Sequence, residues 1–301
     1  MLSRQKFVKI ERLRVKYSTE LNPSVSLNDF FKLSKRNVLI SGIYGLLFKP
    51  SEAQASLVQF PANSLRNNYW LVRAGISYGE ESNITATNPV WKQAGQSSLS
   101  KNGAKQVYQS TLPGLKASGA CEGGCWIWPS ITQNSYQTAE ILADQLGMGR
   151  NRIVPEYSFL DKRGLGALED IPLDKAEAQV RLADVLDCRW RPVAGTDGTP
   201  NESMEDVLVR MRQVISITET QYSGEDVILV APDSYTLSAL QAAVLGVDLR
   251  QHVSFAMIPG EVRRLALGEN SYDANPRQFS CPDPPKCLRM GLPSNSISSA
   301  S

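Results

Sequence analysis

Histidine is almost missing from this chain. One His and five Cys stand among 301 residues. A metal centre built mainly of imidazoles is therefore excluded, and so is any mechanism that needs two histidines. A surplus of either charge is missing too: 32 Lys and Arg face 30 Asp and Glu, leaving +2. A nucleic-acid-binding protein that works through a general basic surface needs a far larger surplus. No apolar run reaches the roughly 18 residues that span a bilayer as a helix. With 42% hydrophobic and 21% charged residues, what is left is an ordinary globular composition, which excludes wholesale disorder and fibrous repeats.

The charge that is present is unevenly spread. Residues 1–55 hold ten Lys and Arg against four Asp and Glu, so the remainder carries a net of −4. The basic stretch Arg4–Lys16 and a polar segment to Asp29 precede Lys32, Lys35 and Arg36. Then follow the apolar run Val38–Phe48 and Ala53-Gln54-Ala55 before Ser56. A basic flank, a short apolar core and an A-x-A site make an export signal. Together the two parts resemble the bipartite presequences of chloroplast thylakoid-lumen proteins. The resemblance implies cleavage near Ala55 and a lumenal address; a stromal address with residues 38–48 uncleaved is the alternative. Glu11, Glu20 and Asp29 are unusual for a transit segment.

Beyond residue 65 strands and helices alternate. Tyr69–Val72 and Val227–Ala231 are continuous apolar runs, as in strands covered on both faces, and Trp126–Trp128 is a third candidate. Helical stripes run through Ala139, Leu142, Ala143 and Leu146, stopped by Gly147, and through Leu237, Leu240 and Val244, stopped by Gly246. A third runs from Met204 to Ile215 behind a Ser203/Asp206 capping box. Segments 100–110 and 174–187 also read as helical. The pattern predicts a three-layer α/β/α sandwich with a mostly parallel central sheet over residues 66–268. Residues 269–301, with five Pro and a Ser-rich end, read as a flexible tail.

Chemistry in such a sheet gathers at the carboxyl ends of its strands. Leu71-Val72-Arg73-Ala74-Gly75 ends the first strand; Leu99-Ser100-Lys101-Asn102-Gly103 and Ser130–Glu140, with Gln137-Thr138-Ala139, follow. Gly164–Glu169 and Val230-Ala231-Pro232-Asp233-Ser234 complete the series. In order and spacing these segments resemble the histidine phosphatase superfamily, the phosphoglycerate-mutase-like proteins, and in particular a plant and algal branch of it. The resemblance implies two Arg holding a phosphoryl group, one His attacking phosphorus and a second His stabilising it. Here the nucleophile position is Ala74, the second Arg position is Asn134 and the second His position is Pro232. A methyl group has no lone pair to offer. No catalytic residue is therefore expected. Arg73, Gly75, Asn134, Glu169, Asp233 and Ser234 outline a vestigial phosphate pocket, with Asp233 or Glu169 expected to pair with Arg73; Asp233 as a helix cap is an equal alternative. His252, twenty residues past the last strand, reads as a solvated loop residue.

Cys121-Glu122-Gly123-Gly124-Cys125 and Cys281–Cys287 are candidate disulfide pairs, with free thiols as the alternative and a four-Cys metal site the least favoured; Cys188 is left over. Trp91 and Trp190, off the strands, would mark a partner site if exposed. The expectation is a catalytically inactive binding or scaffold module of the chloroplast. It has no metal or cofactor and no membrane span in the mature chain, binds no nucleic acid, and takes an unidentified protein partner or a small anionic ligand. The competing reading is an altered phosphatase or mutase using Asp233 or Ser234 as nucleophile.

Overall fold

The computed structural model describes residues 64–265. The presequence, the tail and the Cys281/Cys287 pair lie outside the described residues. Four strands, β1 (Asn68–Arg73), β2 (Cys125–Pro129), β3 (Asp226–Ala231) and β4 (Val262–Leu265), form one sheet in the order β2-β3-β1-β4. The first three are parallel; β4 adds an antiparallel edge that the sequence pattern does not announce. Helices α1 (Tyr78–Glu81), α2 (Lys101–Gln106), α3 (Leu112–Ala117), α4 (Gln133–Gln145), α5 (Leu173–Leu186), α6 (Met204–Gln221) and α7 (Tyr235–Val244) complete the alternation. The predicted α/β/α sandwich is what the chain adopts.

The continuous apolar runs are explained by the layers. Successive strand residues point to opposite faces. Tyr69, Leu71 and Leu229 pack on Met211, Ile215 and Leu240 of α6 and α7. Trp70, Val72 and Ile228 pack on Leu115 and Leu142 of the α3/α4 side. The capping box forms as expected: Ser203 Oγ accepts from the Asp206 N–H and the Asp206 carboxylate accepts from the Ser203 N–H at 2.8 Å. Between α2 and α3 the chain widens into a π turn at Val107–Thr111. Pro113, just past the π turn, has no N–H to donate to a carbonyl of the preceding turn.

Cys121 and Cys125 are joined as a disulfide, with their Cα atoms 4.8 Å apart. The reversal relies on Gly124 at φ 94°, where an L side chain would be strained. Cys188 is a free, half-buried thiol. Among the described residues no helix is long and apolar enough to cross a membrane.

One polar network is sealed in the interior. The Arg163 guanidinium, fully buried, grips the Asp184 carboxylate with two bonds at 2.6 and 2.9 Å and donates through Nε to the Glu202 carbonyl. His252 completes it, against the sequence expectation of a solvated residue. It is 1% exposed, and Asp184 accepts from its Nε2 at 3.2 Å while Nδ1 meets Ser238 Oγ at 3.1 Å. The chain returns from α7 through a 3₁₀ turn at Leu249–Phe255, which carries the ring inward. Burial pushes the His252 pKa down, against the pull of Asp184, so the ring is neutral near pH 7. Ser238, His252 and Asp184 have the order of a nucleophile, base and acid. But Ser238 is 1% exposed inside α7 and bonds the Tyr235 carbonyl, and Asp184 already neutralises Arg163. The network is structural. Asp184→Ala leaves a buried guanidinium unmatched and is expected to cost about 3–5 kcal/mol, read from urea unfolding; a loss below about 1 kcal/mol, the scale of an exposed pair, would contradict it.

Candidate functional site

Because β1 and β3 are parallel neighbours, Arg73 lies in register with Ala231, and Ala74-Gly75 and Pro232-Asp233 leave the sheet at the same edge. β2 ends beside them, and Asn134 stands in the first turn of α4. Arg73 is 5% exposed and Ala74 is fully buried, its N–H bound to the Ala231 carbonyl at 3.0 Å. Asn134 Nδ2 donates to the Gly75 carbonyl at 3.1 Å, while its Oδ1 is buried without a partner. Asn134 is thus bonded to Gly75, two residues past Arg73.

The anion matched to Arg73 is neither of the two carboxylates expected. Nη2 of Arg73 donates to Glu80 of α1, and Nη1 to the carbonyl of Pro232. Glu80 is itself fixed by a capping box. Its second oxygen accepts from the Ser77 N–H at 2.8 Å and the Ser77 hydroxyl at 2.9 Å. Burial works against its charge, but Arg73, then Lys162 and Ser77, outweigh it and hold its carboxyl below the usual range. Asp233 instead caps the start of α7, accepting from the N–H groups of Tyr235 at 3.0 Å and of Arg163 at 2.7 Å. Glu169 accepts from the Thr87 and Asn88 N–H groups and the Thr87 hydroxyl, stapling another loop. Both are loop fasteners because free N–H groups lie nearer to them than the guanidinium does. Ser234 Oγ accepts from the Met257 N–H at 2.7 Å.

Two cavities flank this corner. One, about 520 Å³, is lined by Arg73, Glu80, Arg181, Asp233 and Ser234 with an apolar wall that includes Ile84, Leu165 and Met257. The other, about 240 Å³, is lined by two ion pairs, Lys92–Asp161 and Arg210–Glu202, with Thr132 and Asn88. Lys162 lines both. Trp91, 37% exposed, and Trp190, half-buried against Leu165 and Val180, line neither. Among the described residues no group of three or more His, Cys, Asp or Glu could hold a metal ion.

The sequence profile of the histidine phosphatase superfamily (branch 1) matches residues 70–275. The chain belongs to this superfamily. No curated protein matches it in sequence. Its fold is similar to that of a mycobacterial glucosyl-3-phosphoglycerate phosphatase solved with VO3, at 19% identity and a TM-score of 0.50, over 66% of this chain and 92% of that one. YhfR of Bacillus stearothermophilus is similar at 19% identity and a TM-score of 0.50, over 66% and 90%. At these identities the likeness is one of fold. In the superfamily's frame, Ala74, Asn134 and Pro232 stand where its resemblance implies His, Arg and His.

Sequence reasoning missed Glu80, Lys162 and Asp161 at this histidine phosphatase corner. A signal for Glu80 existed: Ser77-Tyr78-Gly79-Glu80 is a capping-box pattern two residues past the Arg73-Ala74-Gly75 motif. Burial pushes the Asp161 carboxyl up to about 6 against the pull of Lys92 and Ser130. Folding raises this pKa, so its contribution to stability is full below the unfolded value near 3.9 and is lost as pH rises through about 6. Wild type should lose on the order of 1 kcal/mol between about pH 5 and 7.5 that Asp161→Asn does not lose. Lys92 keeps the Tyr157 carbonyl at 3.0 Å in that variant. Equal pH slopes in urea unfolding would refute the assignment.

Proposed function

We propose that this member of the superfamily is catalytically silent and serves as a binding or scaffold module. One observation carries the reading: the guanidinium that would hold a phosphoryl group is already matched by Glu80 and the Pro232 carbonyl. A phosphate dianion arriving there meets a carboxylate. Beside it, Ala74 and Pro232 offer no lone pair at either imidazole position. Loss of a nucleophile costs on the order of 10⁶ in turnover in a well-studied hydrolase. The alternative, with Asp233 or Ser234 attacking phosphorus, finds both Asp233 oxygens occupied by N–H groups and Ser234 engaged by Met257.

The test is hydrolysis of p-nitrophenyl phosphate together with phosphate binding followed by ³¹P NMR. Wild type is expected to show neither, and Glu80→Gln to gain phosphate binding without gaining turnover. A wild-type rate abolished in Arg73→Ala would overturn the proposal.

We place the mature protein in the chloroplast, in the thylakoid lumen. The basic, apolar and A-x-A segments of residues 1–55 support this, and the Cys121–Cys125 disulfide suits an oxidising compartment. Protein isolated from the organelle should begin near Ser56; a chain that retains residues 38–48 would refute the lumenal address.

A further inference from the structure

The 240 Å³ cavity is walled by charges that balance. Lys92 pairs with Asp161 and Arg210 with Glu202, all four half-buried. Lys162 also lines it, and Asp233 in the larger cleft offsets that charge. What the cavity holds is unused hydrogen-bonding capacity. An ammonium has three N–H groups, and Lys92 Nζ gives one to Asp161 and one to the Tyr157 carbonyl at 3.0 Å, leaving a third. A carboxylate oxygen has two lone pairs. Asp161 Oδ1 takes the Ser130 hydroxyl at 3.0 Å, and Glu202 Oε1 takes Arg210 Nε at 2.8 Å, so each keeps one lone pair. In the Lys92–Asp161 pair a spare donor and a spare acceptor therefore stand side by side. A hydroxyl answers both through a single oxygen, giving its proton to the carboxylate and a lone pair to the ammonium. An ion would be drawn to one member of the pair and repelled by the other.

We infer that this cavity binds a small neutral ring polyol, of the monosaccharide or cyclitol class, held between the Lys92–Asp161 and Arg210–Glu202 pairs. The inference rests on the reading of the protein as a binding module and names the ligand of that module. The volume is that of about eight waters at roughly 30 Å³ each, room for one sugar ring and little more. Several hydroxyls on one ring replace several of those waters at once, each making the bonds that a water would make. Ala86, Pro89 and Pro200 give the wall apolar stretches for the C–H faces of the ring.

The test is saturation-transfer NMR and calorimetry on the full chain at about pH 7.5, where Asp161 is ionised. The compounds are methyl α-D-glucopyranoside, methyl α-D-galactopyranoside and myo-inositol. At least one is expected to bind. Cyclohexanol, a ring of similar size with a single hydroxyl, should bind at least about tenfold more weakly. Glucosamine and glucose 6-phosphate should bind no more tightly than the neutral ring. Ser158 lines the cavity from an exposed position, so Ser158→Trp should block it, keep the wild-type melting point and lower the affinity at least about tenfold. Asp161→Asn should weaken binding about tenfold, the worth of one charge-assisted bond. Unchanged affinity in either variant overturns the site. Tighter binding of glucose 6-phosphate that falls with added salt marks an anion site and overturns it too. Failure of all three polyols to bind overturns the site and leaves the catalytically silent reading standing; turnover of p-nitrophenyl phosphate alongside polyol binding overturns the silent reading alone.

Discussion

A guanidinium sealed at the end of a central strand has to meet an anion, because an unmatched buried charge costs several kcal/mol. Arg73 is that charge, and Glu80 is that anion. The match reaches beyond the pair. Glu80 lies in α1, and its second oxygen ties the Ser77 N–H and hydroxyl, so the chain leaving β1 must fold back over its own strand end. The Pro232 carbonyl takes the other guanidinium nitrogen and brings the end of β3 into the same knot. The chain ends leaving β1 and β3 at the rim of the cleft are joined by this one electrostatic requirement.

Removing imidazoles and leaving Arg73 bare would have produced a wet cationic pocket, still attractive to oxyanions. Placing a carboxylate on the arginine cancels that attraction at the strand end. Lys162 adds a positive charge beside the apolar cleft and Asp233 a negative one, so the corner as a whole carries no surplus of either sign. The same rule operates deeper in the fold. Arg163, completely enclosed, is matched by Asp184, and the neutral His252 lends a further hydrogen bond. Arg163 passes over Asp161, its neighbour in sequence, for Asp184, its neighbour in space, whereas Arg73 takes Glu80, the nearest carboxylate in both.

That distinction explains what could be read in advance. Strands β1 to β3 and helices α4 to α7 carry their own periodicity and stops, so local composition locates them. β4, with the pattern Val-Arg-Arg-Leu, does not, since its identity comes from pairing with β1 over nearly two hundred residues of separation. Ala74 and Pro232 were legible because the surrounding motifs fix their places. The partners of Arg73 were not. Asp233 and Glu169 look equally suitable in a linear reading, and only the folded loops show their oxygens turned to backbone N–H groups. His252 was misplaced for a related reason: a polar residue in a short loop reads as solvated until the turn that buries it is known.

The motifs that reveal the family also have a role that requires no catalysis. A Cβ on Gly75 would sit 2.5 Å from the Gly103 carbonyl oxygen, and one on Gly103 would sit 2.3 Å from that of Ile76, so each glycine exists to let the other segment approach. Ser100 caps α2 by accepting from the Gly103 N–H at 2.9 Å. The Gln137 amide oxygen accepts from the Leu99 N–H at 2.7 Å, Thr138 Oγ1 from the Gly75 N–H, and Asn134 donates to the Gly75 carbonyl. The Arg-x-Gly, Leu-Ser-x-x-Gly and Gln-Thr-Ala segments are therefore bonded to one another. They clamp the end of β1 to α2 and α4 through backbone atoms that do not depend on which side chain stands at position 74. A clamp of this kind lets the nucleophile position hold a methyl group while the sheet edge around it keeps its shape, which is why the chain retains the fold and the recognisable motifs with Arg73 turned to an internal carboxylate.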